Sequence, residues 1–292
     1  MIDPSALAER APEQHVVADE PRPTRVIRPK RGWARIDLGE LWRYRDLLWF
    51  LAKRDIQLRY RQTALGVAWA LLQPLATMAV FTIFFGRFGK IPSDGLPYPL
   101  FAFCGLIPWQ LFAYALSESS NSLVSNQNLV TKIYFPRLVI PLASVLSGLM
   151  DFLVSSALLV GLLVFYGRMP TGAAVVLPAL VLLALVTALG VGLWLSALNV
   201  QYRDVRYTIP FLTQLWFFAT PIAYPASLVP EKWRALVGLN PMAGVVEGFR
   251  WALLGSGRPP QLLWVSTAAA LFVLWTGLHY FGRMERRFAD VV

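Results

Sequence analysis

The sequence has few of the residues on which disulfides, metal centres and histidine-based catalysis depend. Its only cysteine is Cys104, so no disulfide can form within the chain. Its only histidines are His15, in the N-terminal segment, and His279, near the end of the last apolar run. Zinc-type sites need several His, Cys or acidic ligands held together, so the sequence predicts neither a metal site nor a bound cofactor.

A phosphate-binding loop is also missing from the sequence. Such a loop has the pattern Gly-x-x-x-x-Gly-Lys-Ser/Thr, in which backbone N–H groups and the lysine hold the phosphates and the hydroxyl holds Mg²⁺. The five lysines are followed by Arg, Arg, Ile, Ile and Trp. If this chain takes part in ATP-driven work, a separate chain must therefore hydrolyse the ATP.

Charge is nearly absent from six long apolar runs, and this absence indicates that the runs lie in lipid rather than in water. The runs cover residues 64–85, 98–116, 138–166, 173–200, 207–224 and 262–281. About 20 apolar residues in a helix cross the ~30 Å of hydrocarbon in a bilayer, and a helix satisfies its own backbone hydrogen bonds there. The sequence predicts an all-α integral membrane protein with six transmembrane helices. A soluble protein is the disfavoured alternative, because it would have to bury six such runs.

Basic residues are unevenly divided between the two sides of this six-helix plan. The side that holds both termini has 20 Lys and Arg residues, and the other side has 7. Positive residues near span ends stay in the cytoplasm, so both termini are expected there. The net charge of +10 then fits contact with anionic membrane lipids and requires no nucleic acid. The first 40 residues contain no apolar signal-peptide segment, so the first span is expected to direct its own insertion.

The segment before the first span has two parts. Residues 1–37 mix Pro, Arg, Ala and Glu without periodicity, which predicts a disordered cytosolic tail. Residues 38–62 predict an amphipathic interface helix. Its apolar face comprises Leu41, Tyr44, Leu47, Leu48, Leu51, Ala52 and Leu58, while Arg43, Asp46, Lys53, Arg54 and Arg61 cluster on the opposite face. This helix is either a simple anchor or a moving gate or partner-contact element.

Two charged features stand within the apolar part of the chain or close to it. On the interface helix, Asp55 and Arg59 intrude on the apolar face four residues apart, at a spacing that allows an ion pair. Asp151 lies near the middle of the third run. A charge at that depth is costly unless it is paired or hydrated. Asp151 therefore either lines a conduit or is tied to a neighbouring helix.

Residues 225–260 are too long for a turn and too broken for a full crossing. Two amphipathic pieces, about 230–238 and 240–254, predict short re-entrant helices between the fifth and sixth spans. Glu247 and Arg250 are three residues apart and can pair. An ordinary extracytoplasmic loop is the alternative. The predicted organisation is completed by a six-helix domain over 63–285 and a cytosolic C-terminus over 286–292.

The cytoplasmic stretch after the second span has the composition of a docking surface. It presents Ile133, Tyr134 and Phe135 between two basic residues, Lys132 and Arg137. Exposed aromatic residues with a charged rim are typical of protein interfaces. An ordinary loop with its aromatic residues in the lipid interface is the alternative.

Four stretches of the chain resemble the polysaccharide-export branch of the ABC-2 type permeases. Asn126-Gln-Asn-Leu-Val-Thr-Lys-Ile-Tyr-Phe-Pro-Arg-Leu-Val-Ile-Pro141 is similar to the family motif after the second span. The other matching stretches are Arg54–Pro74 at the entry to the first span, Leu198–Tyr207 in the second cytoplasmic loop, and Leu239–Met242 with Gly248–Gly255 in the late extracytoplasmic segment. They occur in the family order within residues 40–285.

The resemblance implies a homodimer of permeases in a bacterial cytoplasmic (inner) membrane, joined to two copies of a separate ATPase subunit that binds MgATP. It implies that the loop around Lys132 contains the helix that docks on the ATPase. The coupling residues are then expected to be Lys132, Ile133, Tyr134, Phe135 and Arg137, with Tyr202, Arg203 and Asp204 from the second loop. Thr131 departs from the pattern, because many relatives carry a basic residue there.

A lipid-linked polysaccharide is the cargo that the resemblance implies. Sugars stack their C–H faces on aromatic rings, so aromatic residues can line a polymer conduit without binding it tightly. The candidates for such a lining are Trp109, Tyr114, Trp216, Phe217 and Phe218, with Asp151 as a possible charged member. Their alternative roles are membrane-belt anchoring and packing.

Three classes of function remain open at this point. The first is the permease half of an ATP-driven polysaccharide exporter. The second is an ABC-2 permease for a small hydrophobic drug or lipid. The third is an integral-membrane enzyme of glycan assembly, which would need clusters of carboxylate or histidine residues at the membrane face. Because such clusters are absent from the sequence, the third class is the least favoured.

Overall fold

The computed structural model describes residues 38–61, 68–256, 262–285 and 288. All regular secondary structure within these residues is helical. The predicted tail over 1–37 lies outside them, and so does the predicted C-terminal segment 286–292 apart from residue 288. The predicted all-α fold class is therefore confirmed for the described part of the chain.

The α-helices follow the apolar pattern closely. They are α1 (Leu38–Arg43), α2 (Arg45–Arg61), α3 (Ala68–Phe81), α4 (Tyr98–Ser125), α5 (Gln127–Lys132), α6 (Val139–Ser147), α7 (Leu149–Phe165), α8 (Leu177–Gln201), α9 (Val205–Ala219), α10 (Glu231–Gly238), α11 (Pro241–Leu254) and α12 (Leu262–Met284). A π-helical segment, Thr82–Phe88, extends α3. Helices α6 and α7 meet at Gly148 and together make one candidate span.

Five helical segments of the described residues are long and apolar enough to cross a membrane. They are Leu71–Phe88, Tyr98–Ser125, Val139–Phe165, Gly172–Gln201 and Leu262–Met284. The fifth predicted run, 207–224, differs. Its helix, α9, ends at Ala219 after 15 residues, which at 1.5 Å per residue is about 22 Å and short of a full crossing. The backbone beyond Ala219 continues as turns and a 3₁₀ segment.

Helix α4 forms the centre of the molecule, and α8 and α12 pack outward from it. Most side chains of α4 are buried, and its partner α8 is packed in turn against α12. Two glycines allow this second contact: a Cβ on Gly277 would collide with the carbonyl oxygen of Gly190. Close backbone approach through small residues is a common way for membrane helices to associate. Trp194 and Tyr280 stack at 4.1 Å beside this crossing.

A second apolar cluster joins the predicted interface helix, α2, to the adjoining ends of α4, α6, α8 and α12. Leu51 and Ala52 of α2 are buried in it together with Val130 of α5, Phe135 and Val139. The apolar face predicted for the interface helix therefore packs mainly on protein rather than on lipid, although Leu58 is exposed. The exposed apolar residues of α1 and α2 lie largely elsewhere: they include Trp42, Trp49 and Phe50.

Candidate functional site

A cavity of about 360 Å³ lies between α3, α4, α7 and α9. Its polar lining includes Gln73 and Thr77 of α3, Gln110 of α4 and Ser155 of α7. Its aromatic lining comprises Trp69, Trp109, Tyr114, Phe152 and Phe217, and Arg59 and Asp151 are its charged members. The cavity therefore combines hydrogen-bonding groups with aromatic rings inside an otherwise apolar bundle.

A second cavity of about 390 Å³ adjoins the first along α4 and α9. Trp109 and Phe217 line both cavities, and their ring centroids are 5.5 Å apart in a T-shaped contact. The second cavity adds the polar side chains Ser117, Thr213 and Gln214. Together, the two cavities form a mixed polar and aromatic surface that runs along one side of α4.

The predicted aromatic set is divided by the structure. Trp109, Tyr114 and Phe217 line the first cavity, as does Asp151. Trp216 instead packs edge-on against Phe112 at 4.9 Å, and its indole N–H donates to Asn240 Oδ1 at 2.8 Å. Phe218 is largely exposed on the surface of α9. Trp216 thus helps to position a helix end, while Phe218 faces whatever surrounds the protomer.

Asp151 lines the cavity and is also tied to α2. Its carboxylate pairs with the guanidinium of Arg59 at 2.5 Å and accepts a hydrogen bond from the hydroxyl of Tyr60. The predicted pair between Asp55 and Arg59 is wrong, because Asp55 pairs with its neighbour Arg54 at 2.8 Å. The charge at membrane depth and the charge intruding on the apolar face of α2 neutralise each other.

Aromatic contacts support this ion pair. The guanidinium of Arg59 lies 4.2 Å from the centroid of the Tyr114 ring, a distance at which a cation is attracted to the ring face. The hydroxyls of Tyr114 and Ser147 share a hydrogen bond of 3.2 Å. Burial raises the pKa of the Tyr60 hydroxyl most, and its hydrogen bond to Asp151 adds to the effect, so Tyr60 remains a donor at neutral pH.

Beyond the end of α9, side chains take the place of the missing helical hydrogen bonds. The amide of Asn240 donates to the Ala219 carbonyl at 3.3 Å, and the hydroxyl of Tyr98 donates to the Ala223 carbonyl at 2.7 Å. The guanidinium of Arg250 donates to the carbonyls of Pro221 and Ile222 at 2.7 and 2.6 Å. Non-helical backbone at membrane depth is tolerated only when protein or water satisfies it, and these side chains would satisfy the segment at such a depth.

Arg250 makes several hydrogen bonds, an ion pair and a ring contact in this region. It is 1% exposed, pairs with Glu247 at 2.9 Å as predicted, and lies 3.6 Å from the centroid of the Phe101 ring. Gly105 makes room for it, since a Cβ there would stand 2.8 Å from the guanidinium. The predicted amphipathic pieces correspond to α10 and α11, and Arg250 attaches α11 to the broken end of α9.

The predicted docking loop is only partly exposed. Lys132, Ile133 and Tyr134 are exposed, with Tyr134 at 67%, whereas Phe135 is buried at 6% in the cluster that contains Leu51. The prediction of an exposed aromatic pair is wrong for Phe135, which anchors the loop instead. Arg137 is also committed: its backbone N–H donates to Glu285 Oε1 at 3.1 Å, and its guanidinium donates to the Glu285 carbonyl.

The remaining predicted site residues lie at the protein surface or on α2. Tyr202, Arg203 and Asp204 are all exposed between α8 and α9. Arg61 is exposed at the end of α2. Arg54 faces inward and donates to Asn126 Oδ1 at 2.8 Å.

Several functional contacts were not predicted from the sequence. These are the links from Arg54 to Asn126, from Arg59 to Asp151, and from Tyr98, Asn240 and Arg250 to the backbone after α9. Only Asn240 carries a local signal, because Asn before Pro is typical of a helix N-cap. Its Oδ1 does accept from the backbone N–H of Met242. Among the described residues, no group of three His, Cys, Asp or Glu is placed to hold a metal ion.

We expect Arg250→Met to destabilise the protein by about 3 kcal/mol or more. The substitution leaves the Glu247 carboxylate without its ion pair and the buried carbonyls of Pro221 and Ile222 without their donor. Arg234→Met is the matched control, since Arg234 forms an exposed pair with Glu231 at 3.5 Å and such pairs contribute little. Thermal unfolding of both purified variants in one detergent measures the difference. Equal stability of the two variants would contradict the role assigned to Arg250.

Known proteins provide an independent comparison. Residues 46–254 match the family described as ABC-2 type transporter. The O-antigen export system permease protein RfbA of Myxococcus xanthus is 33% identical over 258 residues, which cover 87% of this chain and 98% of that protein. A Klebsiella pneumoniae protein of the same name is 28% identical, covering 88% and 97%, and the polysialic acid transport protein KpsM of Escherichia coli is 25% identical, covering 75% and 87%. With most of its length matched, the chain belongs to the ABC-2 type transporter family.

Proposed function

We propose that this chain is the membrane subunit of an ATP-driven exporter that carries a lipid-linked polysaccharide out of the cytoplasm. The relatives named above are O-antigen and polysialic acid export proteins, which supports this class of cargo. The observation that carries the proposal is the pair of adjoining cavities along α4, with their amide, hydroxyl and aromatic lining.

This lining suits a polymer that must slide rather than bind. Gln73, Gln110 and Gln214 can exchange hydrogen bonds with successive sugar hydroxyls, and Trp109 and Phe217 offer flat faces for sugar C–H groups. Conduction requires many contacts of modest strength, so that the cargo can enter and also leave. A site for a small hydrophobic drug would have few polar groups in a mainly apolar pocket, so the lining favours the glycan.

The proposed topology has six passes with both termini in the cytoplasm, in a bacterial inner membrane. Helix α9 and the capped segment 220–224 together make the fifth pass, and α10 and α11 form a re-entrant pair on the outer side. The supporting observation is that the carbonyls after α9 bond to side chains of α4 and α11 rather than to solvent. The excess of basic residues on the termini side supports the orientation.

The proposed assembly has two copies of this chain and two copies of a separate ATPase, which binds the MgATP. A hydrated polymer needs a wider conduit than one six-pass chain readily encloses, and a twofold axis is the common solution. We place α3 and α9 at the seam, because both carry large exposed apolar side chains. These include Trp69, Phe84 and Phe88 on or after α3 and Tyr207, Phe211 and Phe218 on α9.

Deletion of the gene tests the proposed function. We expect lipid-linked polysaccharide to accumulate inside the cell, and a plasmid copy of the wild-type gene to restore export. Restoration should fail with Trp109→Ala, and because Trp109 is packed in the core as well as lining the cavity, co-purification of the ATPase with this variant shows that the fold is intact. If deletion causes drug sensitivity without glycan accumulation, the alternative drug or lipid permease is supported and the proposal is overturned.

Cysteine labelling tests the orientation. In a Cys104→Ala background, a cysteine replacing Pro92 should react with an impermeant thiol reagent from outside the cell. A cysteine replacing Thr131 should react only after the inner face is opened. Both positions are exposed and Cys104 is fully buried, so accessibility depends on the side of the membrane. Labelling in the reverse order would contradict the orientation.

The docking loop predicts a difference between its two aromatic residues. Tyr134→Ala should weaken ATPase association by roughly 1 to 3 kcal/mol, within the range of interface hot spots, and should leave thermal stability unchanged because Tyr134 is exposed. Phe135→Ala should lower stability by about 3 to 5 kcal/mol, because it leaves a cavity in a packed cluster. ATPase affinity and thermal unfolding are measured for both variants.

The control for this comparison is Phe165→Ala, an exposed aromatic residue at the far end of α7, which should change neither quantity. Normal ATPase affinity and normal export by the Tyr134 variant would show that this loop is not the coupling surface.

A further inference from the structure

Helix α2 contacts both the proposed ATPase-docking helix and the rim of the cavity. Near its C-terminal end, Arg54 bonds to Asn126, and Arg59 pairs with Asp151. The two arginines are five residues apart, which is about 7.5 Å along a helix. One short helical segment therefore joins the proposed ATPase-docking helix α5 to the cavity that we propose the cargo uses.

Asn126 is the joint between α4 and the docking helix α5. Its side-chain amide donates to the Ser122 carbonyl at 2.8 Å in the last turn of α4. Its backbone carbonyl accepts from the N–H of Leu129 at 2.9 Å and so begins α5. Arg54 holds the remaining side-chain oxygen of Asn126 at 2.8 Å. A tilt of α5 at this joint therefore pulls directly on Arg54.

Apolar packing reinforces this first contact. Val130 of α5 and Phe135 beyond it are buried in the same cluster as Leu51 and Ala52 of α2. Close-packed interiors transmit displacement, because they resist the opening of voids. Helix α2 is thus expected to follow α5 when the docking helix moves.

The second contact converts a movement of α2 into a change at the cavity. Asp151 and Tyr114 both line the cavity, and the side chain of Arg59 bonds to the first and lies over the ring of the second. Separating this pair would leave a carboxylate without its counter-ion at membrane depth, which is costly. Helix α2 can therefore move only if Asp151 and α7 follow or if the pair exchanges partners.

We propose that Arg54 and Asp151 are positioning residues that couple ATP hydrolysis to opening of the cavity, through the contacts that α2 makes with Asn126 and α7. Movement of α5 reaches α2 through the Asn126–Arg54 hydrogen bond and reaches the cavity through the Arg59–Asp151 ion pair. The inference depends on the proposed function, because it needs an ATPase on α5 and a cargo in the cavity.

A double-mutant cycle on the complete complex with its ATPase tests this path. Asn126→Ala and Asp151→Asn are compared singly and together in proteoliposomes. The measurements are ATPase retained, ATP hydrolysed and polysaccharide exported. Each single variant should keep the ATPase bound and continue hydrolysis, while export per ATP falls about tenfold, within the usual range of coupling between sites. Because both residues act on one path, the double variant should fall no further.

Conservative and neutral substitutions distinguish coupling from general damage. Asp151→Glu keeps the charge and should retain most of the export per ATP that Asp151→Asn loses. Gln57→Ala alters an exposed residue of α2 three positions from Arg54 and should leave the ratio unchanged. A purely structural role would instead lower ATPase retention and export together in every variant at these contacts.

Two results would overturn the inference. One is a wild-type ratio of export to hydrolysis in Asp151→Asn. The other is a double variant whose loss equals the product of the two single losses, which would mean that Asn126 and Asp151 act independently. A wild-type complex that hydrolyses ATP but exports no polysaccharide would instead overturn the proposed function itself, so the two failures are distinguishable.

Discussion

The need to satisfy every backbone hydrogen bond inside hydrocarbon is the constraint on which this structure depends. Long helices meet it by themselves in five spans, but α9 ends at Ala219 and leaves its following carbonyls without helical donors. Arg250, Asn240 and Tyr98 supply those donors from α11, from its N-cap and from α4. Helix α11 and its N-cap thus provide donors that the backbone after α9 needs.

Charged side chains elsewhere in the bundle are likewise held by specific partners. Arg59 and Asp151 would each be costly near apolar surroundings, and they occur as a pair that also contacts Tyr60 and Tyr114. Pairing fixes the interface helix to the third span at the cavity rim. Two kinds of charged contact therefore hold the bundle together: a buried guanidinium that binds carbonyls beyond α9, and a half-buried ion pair at the cavity.

Features that follow from local pattern were predictable from the sequence, and features that follow from tertiary partners were not. Apolar run length located the five candidate spans, and the pair of Glu247 with Arg250 followed from helical spacing. The same spacing rule failed for Asp55 and Arg59, because Asp151, distant in sequence, offers Arg59 a better-placed partner. Phe135 was expected at the surface because aromatic residues with a basic rim are typical of interfaces, yet the packing of α2 against α6 buries it. Of the three consecutive residues Trp216, Phe217 and Phe218, only Phe217 lines the cavity. Which of them does so depends on how α9 is rotated about its own axis, and no local sequence signal determines that rotation.

Photo-crosslinking during export tests most directly whether polysaccharide passes along α4. A photoreactive amino acid at Phe217, which lines both cavities, should crosslink to polysaccharide in cells that are exporting it. At Trp275, an exposed residue of α12, the same probe should crosslink to lipid only. Crosslinks to lipid alone at both positions, in cells with normal export, would contradict the account.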